Sequence, residues 1–249
     1  MKSVRLQKAL AEAGYCSRRA AEELIRQGRV FVNGQAVTEM GLRVNPDEDE
    51  IRVGQDLIAS QNPKIYLLFY KPKQCVTTLS DPQGRKTVLD YIPRFPVRLF
   101  PVGRLDYDAE GLLLLTNDGE LAHRLQHPSF GVRKSYEVKV KGHPDESVLD
   151  RLRSGIVLEE GKTSPAEVTS DGILPKATWL RIVIHQGWYR QIKRMAEAVG
   201  HPVLKIKRVG YGPLGLGELI PGKYRPLSDS EVRRLYRMVH LAEEQAEKP

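Results

Sequence analysis

The chain has 249 residues, of which 41% are hydrophobic and 28% are charged, and its formal net charge is +8. This length and composition exclude wholesale disorder, and the excess of Lys and Arg favours a polyanionic partner, either nucleic acid or an anionic membrane. No segment approaches the ~20 apolar residues of a membrane span, and the N-terminus lacks the apolar block of a signal peptide. Cys16 and Cys75 form no paired motif. We therefore expect a cytoplasmic protein with reduced thiols and no disulfide scaffold.

Residues 1–60 are predicted to form a separate small α/β module. A first helix should end at Gly14, and Ser17 is a suitable N-cap for a second helix that ends near Gly28. An Asn-Gly pair at 33–34 is a strong signal for a two-residue hairpin turn. The apolar positions at helical or strand spacing in this module are Leu6, Ala9, Leu10, Ala13, Ala20, Ala21, Leu24, Ile25, Val30, Phe31, Val32, Ala36 and Val37.

The end of the module is less regular. Residues 51–53 are predicted to form its last short strand, after an acidic run at 47–50 that is interpreted as a solvated loop. A polar segment at 59–63 ends in proline, as linkers between domains often do. The second domain is therefore expected to cover residues 64–240.

The second domain is predicted to be α+β. Its strand segments are separated by long connections and a few helices, an order typical of a mixed, mostly antiparallel sheet flanked by helices. The last helix begins with a capping box formed by Ser228 and Glu231. Strands are predicted at 65–70, 136–140, 179–184 and 203–209, and helices at about 118–126, 145–154, 190–199 and 228–246.

The N-terminal module is strongly basic. Residues 1–34 contain seven Lys or Arg and three Glu, and two arginines open the second helix, where backbone N–H groups already favour phosphate. The sequence over 5–20 and 28–34 resembles the alpha-L RNA-binding module, which occurs in a small-subunit ribosomal protein, in tyrosyl-tRNA synthetases and in several rRNA-modifying enzymes. The resemblance implies an RNA-binding surface, whereas the alternative is an ordinary helical hairpin with a solvated basic face. The candidate RNA-binding residues are Arg5, Ser17, Arg18, Arg19, Arg29 and Asn33.

The most informative motif covers residues 103–119. It contains Gly-Arg-Leu-Asp at 103–106 and Gly-Leu-Leu-Leu-Leu-Thr-Asn-Asp-Gly at 111–119. An Asp in such a place is often only a turn former, but the whole string closely resembles the active-site motif of the pseudouridine synthases that modify single uridines in ribosomal RNA. The resemblance implies that Asp106 is the catalytic nucleophile. Relatives usually carry Thr or Ser where this chain has Ala109, a departure that does not touch the nucleophile.

Three further positions match the active site of that family. Tyr136 matches the tyrosine whose ring stacks on the flipped uracil, although a tyrosine on a strand is otherwise a core residue. Lys193 matches the basic residue that pairs with the catalytic Asp and keeps it ionised; without the match it would be a solvent-facing helix lysine. Arg104 matches the residue that enters the RNA and helps displace the target base, and a simple phosphate contact is an equal alternative.

The implied reaction needs one carboxylate and no redox step, group donor or metal. We therefore expect no cofactor and no metal site. A string at 210–215 fits the GxGxxG form of a dinucleotide-binding loop, but the prolines and glycines that follow exclude the required helix. His123 and His127 lie four residues apart without a metal-binding pattern around them, and they are interpreted as helix-surface residues.

The sequence as a whole predicts a two-domain cytoplasmic enzyme that isomerises one uridine in ribosomal RNA. Overall similarity favours large-subunit (23S) rRNA as the substrate, with small-subunit (16S) rRNA as the alternative. A tRNA-modifying synthase and a non-catalytic RNA-binding assembly factor are the competing classes, and the joint presence of Asp106, Tyr136 and Lys193 favours an enzyme. We expect ribosomal RNA or an assembling ribosomal subunit as the partner, no membrane association and a monomer. Whether Asp106 attacks the sugar or the base stays open.

Overall fold

The computed structural model describes residues 3–58 and 62–241. The elements of its N-terminal module are β1 (Val4–Arg5), α1 (Leu6–Glu12), α2 (Arg18–Arg26), β2 (Val30–Val32), β3 (Gln35–Val37), β4 (Arg43–Val44), β5 (Ile51–Val53) and β6 (Asp56–Leu57). Four of the strands form a sheet in the order β3-β2-β5-β6, and β1 pairs with β4. The apolar faces of both helices close one hydrophobic core with these strands.

Local capping and turn chemistry explain this module. The Ser17 hydroxyl accepts a hydrogen bond from the Ala20 N–H at 3.1 Å and so caps α2. Asn33 and Gly34 adopt φ values of 50° and 79°, the left-handed pair that a two-residue hairpin turn requires. Both predicted helices and the hairpin are confirmed. The strand at 51–53 is confirmed as well, although β6 follows it and it is not the last.

The second domain is built around one large sheet. Its elements are β7 (Tyr66–Lys71), β8 (Phe100–Val102), β9 (Glu110–Thr116), α3 (Gly119–Gln126), β10 (Lys134–Lys141), α4 (Glu146–Ser154), β11 (Val157–Leu158), β12 (Gly161–Lys162), β13 (Glu167–Leu174), β14 (Ala177–Ile184), α5 (Gln191–Ala198), β15 (Val203–Tyr211), β16 (Leu214–Gly215), β17 (Tyr224–Pro226) and α6 (Asp229–Met238), with 3₁₀ turns at Val88–Tyr91 and Pro128–Phe130.

The large sheet has nine strands and is mixed. Seven strands follow the order β13-β14-β10-β15-β9-β7-β17, while β16 pairs with β15 and β8 pairs with β9. β9 and β15 run parallel, and the other pairings of this sheet are antiparallel. The predicted α+β class with a mixed, mostly antiparallel sheet is therefore confirmed. Within residues 3–58 and 62–241, no helix is long and apolar enough to cross a membrane.

The four consecutive leucines of β9 are explained by burial on both faces of the sheet. Leu112 and Leu114 pack against α3 and α6 on one face. Leu113 and Leu115 point to the other face, where they meet the segment 88–99. A strand that is covered on both sides reads as a continuous apolar run rather than an alternating one.

The residues after the leucines have a structural role. The Asn117 side chain accepts a hydrogen bond from the Ile65 N–H at 2.8 Å and donates one to the carbonyl of Pro63 at 2.9 Å. Asp118 caps α3 through one carboxylate oxygen. Its other oxygen accepts hydrogen bonds from the hydroxyl groups of Tyr66 and Tyr236. This end of the motif thus holds the start of β7, α3 and α6 together.

The N-terminal module contacts this same region of the second domain. The side-chain amide of Asn62 donates to the carbonyl oxygen of Ala13 at 2.6 Å. The Lys8 ammonium lies 3.9 Å from a carboxylate oxygen of Glu120 in α3. One polar contact therefore connects the residue after α1 to the segment between the domains, and the other connects α1 to the large domain.

Two sequence predictions need correction. The helix predicted at 228–246 ends at Met238, and residues 242–249 lie outside the described part of the chain. The helix ends here because of a tertiary contact and a left-handed residue. The Arg124 guanidinium donates hydrogen bonds to the carbonyl oxygens of Val239 and His240, and His240 has a φ of 53°. β13 was not predicted, because polar and exposed residues dominate this edge strand.

The parallel join between β9 and β15 depends on Gly111. The residue has a φ of 116°, and a Cβ atom there would lie 2.2 Å from the carbonyl oxygen of Arg208. Any side chain must therefore push the two backbones apart. Position 111 admits glycine alone without a rearrangement of the sheet.

We expect Gly111→Ala to reduce the free energy of unfolding by at least about 3 kcal/mol, because it adds a backbone clash to an unfavourable φ. Gly131→Ala is the matched control: Gly131 has a φ of 58° but no atom within 4 Å of its Cβ position. This control should lose only about 1 kcal/mol, the cost of the left-handed conformation. Urea unfolding measures both, and equal losses would contradict the close approach of the two strands.

Candidate active site

Asp106 lies in the loop between β8 and β9, just before the N-terminal end of β9, an inner strand of the large sheet. Its Oδ2 atom is 3.1 Å from the Nζ atom of Lys193, which belongs to the first turn of α5. The Lys193 side chain is 11% exposed and that of Asp106 is 33% exposed. The structure therefore brings together the carboxylate and the cation that the sequence predicted to pair, and it leaves the carboxylate accessible.

Lys193 has a second carboxylate partner, Asp108. Burial alone would raise the pKa of the Asp108 carboxyl, but the hydrogen bond and the charge of Lys193 outweigh it and hold this pKa below its ordinary value. Sequence reasoning did not single out Asp108. The signal was an acid two residues after Asp106, on a turn short enough for both to reach one cation.

The start of α5 is set by its own side chains. The Gln191 side-chain oxygen accepts a hydrogen bond from the Trp188 N–H at 3.0 Å, which closes the turn before the helix. Arg190, between them, has a left-handed φ of 48°. Gln191 and Ile192 are buried, and their packing fixes which face of α5 is turned toward the core. These contacts fix the direction in which Lys193 leaves the helix.

A buried lysine holds the loop that carries Asp106. Lys71, at the end of β7, is fully buried and donates to the backbone carbonyls of Asp106 at 2.9 Å, Ala109 at 2.8 Å and Pro72 at 3.0 Å. Burial lowers the pKa of the Lys71 ammonium to about 8. The predicted strand ended one residue earlier, and a charged residue that continues a fully apolar strand was the missed signal.

Thr77 fixes the same loop from a second side. Its hydroxyl donates to the carbonyl of Leu105 at 2.7 Å and lies 3.2 Å from the Leu105 N–H. The Gln74 N–H donates to the carbonyl of Tyr107 at 2.7 Å. Because side chains and backbone both hold the loop, the Asp106 carboxylate is positioned before any ligand binds.

Asp106 opens into a cavity of about 400 Å³ that also contains the other predicted catalytic-domain residues. Tyr136, on β10, lines the cavity and is 8% exposed. Arg104 lines it as well and is exposed to solvent. A volume of this kind is typical of small-molecule sites and suits one nucleotide drawn out of an RNA strand.

Three further cations line this cavity and were not predicted as site residues, namely the exposed Arg190 and the less accessible Arg208 and Lys134. Arg208 of β15 is 2% exposed, and its Nε atom donates to the carbonyl of Leu112 at 2.8 Å. Lys134 of β10 donates to the carbonyl of His185 at 2.8 Å, and burial lowers the pKa of its ammonium to about 8. The signals were a lysine two residues before Tyr136 and an arginine in an alternating strand.

The predicted RNA-binding residues lie in the N-terminal module, and none of the six lines the 400 Å³ cavity in the described part of the chain. Arg18 and Arg19 are exposed at the first turn of α2, which Ser17 caps. Arg5 and Arg29 are exposed too. Asn33 is exposed as well, but its side chain already has partners within the module. The amide nitrogen donates to the Asp49 carboxylate, and the amide oxygen accepts from the Glu50 N–H.

A larger cavity of about 850 Å³ lies elsewhere in the second domain, among residues 79–99. It contains none of the predicted site residues, so its size does not make it the candidate active site. Among the residues that the structure describes, no cluster of three or more His, Cys, Asp or Glu side chains is arranged to hold a metal ion.

We expect Lys71→Met to lower the free energy of unfolding by about 2–4 kcal/mol, because three buried carbonyl oxygens lose their donor. The backbone amides of residues 103–109 should also exchange faster with solvent. Lys73→Met is the control, since Lys73 is exposed two residues further on, and it should change stability by at most about 0.5 kcal/mol. Unfolding by urea and hydrogen exchange measure these effects, and unchanged exchange in the loop would contradict the role of Lys71.

Two families of known proteins match this chain. Residues 65–198 match the family described as RNA pseudouridylate synthase, and residues 4–51 match the S4 domain. A Bacillus subtilis protein named ribosomal large subunit pseudouridine synthase B is 47% identical over 233 residues, which cover 93% of this chain and 95% of the relative. An Aquifex aeolicus protein named as an uncharacterized RNA pseudouridine synthase is 44% identical and covers 97% of each chain.

A solved structure has the same fold over nearly the whole chain. It is described as a crystal structure of pseudouridylate synthase, with a TM-score of 0.67 and 33% sequence identity, and the match covers 94% of this chain and 100% of that one. The family match spans more than half of the chain, and two relatives exceed 40% identity over almost its full length. The chain therefore belongs to the RNA pseudouridylate synthase family, with an S4 domain at its N-terminus.

Proposed function

We propose that this enzyme isomerises one uridine to pseudouridine in ribosomal RNA of the large subunit, with Asp106 as the nucleophile. The observation that carries the proposal is the ion pair between Asp106 and Lys193 in a cavity that Tyr136 also lines. The choice of substrate is supported by the Bacillus subtilis relative, whose name assigns it to the large ribosomal subunit. The small-subunit rRNA is the alternative substrate.

The reaction moves one bond and adds no atom. The bond between C1′ of the ribose and N1 of the uracil breaks, the base turns, and C1′ forms a bond to C5. The hydrogen on C5 leaves as a proton, and N1 gains one. In this proposal Lys193 pairs with the Asp106 carboxylate and aims it, the Tyr136 ring stacks on the flipped base, and Arg104 helps to displace that base from the RNA.

The proposal assigns RNA capture to residues 1–60 and catalysis to residues 64–240. The exposed arginines at the start of α2 support it, because a capped helix N-terminus with two guanidinium groups suits a phosphate backbone. Arg5, Arg29 and Asn33 complete the proposed RNA contacts of the module. We propose further that the enzyme acts in the cytoplasm as a monomer, on rRNA or on an assembling subunit.

We expect Asp106→Ala to abolish turnover and to leave RNA affinity within about threefold of the wild-type value, because the variant removes the reacting group and little surface. Tritium release from RNA labelled at C5 of uridine measures turnover, and filter binding measures affinity. Asp171→Ala, which removes an exposed acid on β13, is the control and should keep full activity. Normal turnover by Asp106→Ala would overturn the mechanism.

The same assay chooses the substrate. Large-subunit rRNA, small-subunit rRNA and tRNA are tested in parallel, each free of modification, together with precursor ribosomal particles. Release from large-subunit rRNA alone supports the proposal, and release from another RNA replaces the substrate class. Tight binding without release from any RNA or particle would favour the second candidate, a non-catalytic RNA-binding assembly factor.

We expect the double change Arg18→Gln and Arg19→Gln to weaken rRNA binding and to make its salt dependence less steep by about two units on a log–log plot, one for each phosphate contact. The turnover of RNA bound at saturation should not change, since neither residue lines the catalytic cavity. Arg151→Gln with Arg181→Gln is the matched control, because both arginines are exposed in the second domain. Equal effects of the two double variants would remove the specific role of the module.

A further inference from the structure

Arg208 is a buried cation with an unused donor. Its side chain is 2% exposed, and the guanidinium carbon lies 5.2 Å from the centroid of the Tyr211 ring. The Nε atom donates to the carbonyl of Leu112, but the buried Nη2 atom has no hydrogen-bond partner. Within residues 3–58 and 62–241, no carboxylate forms an ion pair with it. A buried charged donor without a partner is costly, so its retention points to a ligand.

The position of Arg208 relative to the candidate catalytic residues follows from strand register. Arg208 is directly opposite Tyr136 across the antiparallel pair β10–β15, and opposite Gly111 across the parallel pair β15–β9. Residues that face each other across a strand pair project from the same side of the sheet. Arg208 therefore shares its side of the sheet with Tyr136, and both line the cavity that contains Asp106.

Of the other cations of the cavity, Arg104 and Arg190 are exposed to solvent, and the two less exposed ones are already engaged. Lys193 lies between the carboxylates of Asp106 and Asp108. Lys134 donates to the carbonyls of His185 and Val132, at 2.8 and 3.3 Å. Among the described residues that line the cavity, Arg208 is the cation with a buried donor atom that has no hydrogen-bond partner.

The proposed reaction creates a need for such a group. When the bond between C1′ and N1 breaks, both of its electrons stay with the base, whichever centre Asp106 attacks. The detached uracil then carries negative charge that is spread over N1, O2 and O4. As Asp106 forms its bond to the substrate, the negative charge of its carboxylate passes to the base. A buried cation that faces the base stabilises this charge where water cannot.

We propose that the Arg208 guanidinium binds the base of the flipped uridine through its free Nη2 group and stabilises the negative charge of the detached uracil. This inference rests on the proposed function. Arg208 is then a catalytic residue, because it touches the reacting base. A structural role alone accounts for the bond from Nε to Leu112, but it leaves the Nη2 donor unexplained.

The first test replaces the charge. We expect Arg208→Gln to reduce the single-turnover rate about 10²–10³-fold on the RNA that the wild-type enzyme modifies, as removal of a charge-stabilising donor does elsewhere. Its RNA affinity should stay within about threefold, because the charge to be stabilised arises only after binding. Arg181→Gln is the control: Arg181 is exposed on β14, opposite Glu137, and so projects from the other side of the sheet.

The second test changes the leaving base. 5-Fluorouracil is more acidic than uracil, so its anion needs less stabilisation. In RNA with 5-fluorouridine at the target site, the fold reduction of the single-turnover rate by Arg208→Gln should be at most about a tenth of the fold reduction with uridine. Consumption of the 5-fluorouridine nucleoside after RNA digestion measures this rate. A purely structural role predicts the same loss with both bases and would sink the inference.

Two controls keep the outcomes separate. If Arg208→Gln unfolds, Arg208→Lys retains a buried charge without the planar donor pair, and the comparison of the two bases is made on that variant. A wild-type enzyme that modifies no RNA contradicts the proposed function itself. An active wild-type enzyme whose Arg208 variants keep their full rate contradicts only the role of Arg208.

Discussion

The close approach of β9 and β15 is the constraint on which the rest of the second domain depends. At Gly111 the two backbones come together with no room for a Cβ atom. This contact joins the half of the sheet that carries α3 and α6 to the half that carries α4 and α5. It also brings the loop before β9, with Asp106, next to the strands that present Arg208 and Tyr136. Without this join the two sets of residues belong to separate cores.

The electrostatics around Asp106 follow from how the nearby lysines are partnered. One lysine balances two carboxylates, and another is enclosed by backbone carbonyls, so each has a fixed position and a fixed task. Carbonyl dipoles cost less to bury beside an ammonium than a second full charge does. The site therefore keeps the Asp106 carboxylate within reach of solvent while the groups around it are held still. Groups that are held in place in this way can stabilise charge without rearranging when it develops.

Local chemistry was readable from the sequence, and long-range chemistry was not. The sequence predicted the features that depend on neighbouring residues. These are the cap at Ser17, the Asn-Gly turn and the approximate positions of α3, α4 and α5. The four matched positions 104, 106, 136 and 193 came from resemblance, and they meet at one cavity. The roles of Lys71 and Arg208 depend on partners 35 or more residues away in the chain. Lys71 donates to the carbonyl of Asp106, and Arg208 donates to the carbonyl of Leu112. No local sequence pattern reveals these roles.

The way in which Lys71 holds the loop of Asp106 has a consequence for sequence variation. The ammonium contacts carbonyl oxygens of the main chain, and every amino acid supplies one. The loop can therefore exchange side chains during evolution without losing this attachment. Ala109 is an example: its carbonyl accepts from Lys71 at 2.8 Å, and the residue is 3% exposed. Drift at this position is limited by the volume of the side chain and by the availability of a partner for any hydroxyl it carries.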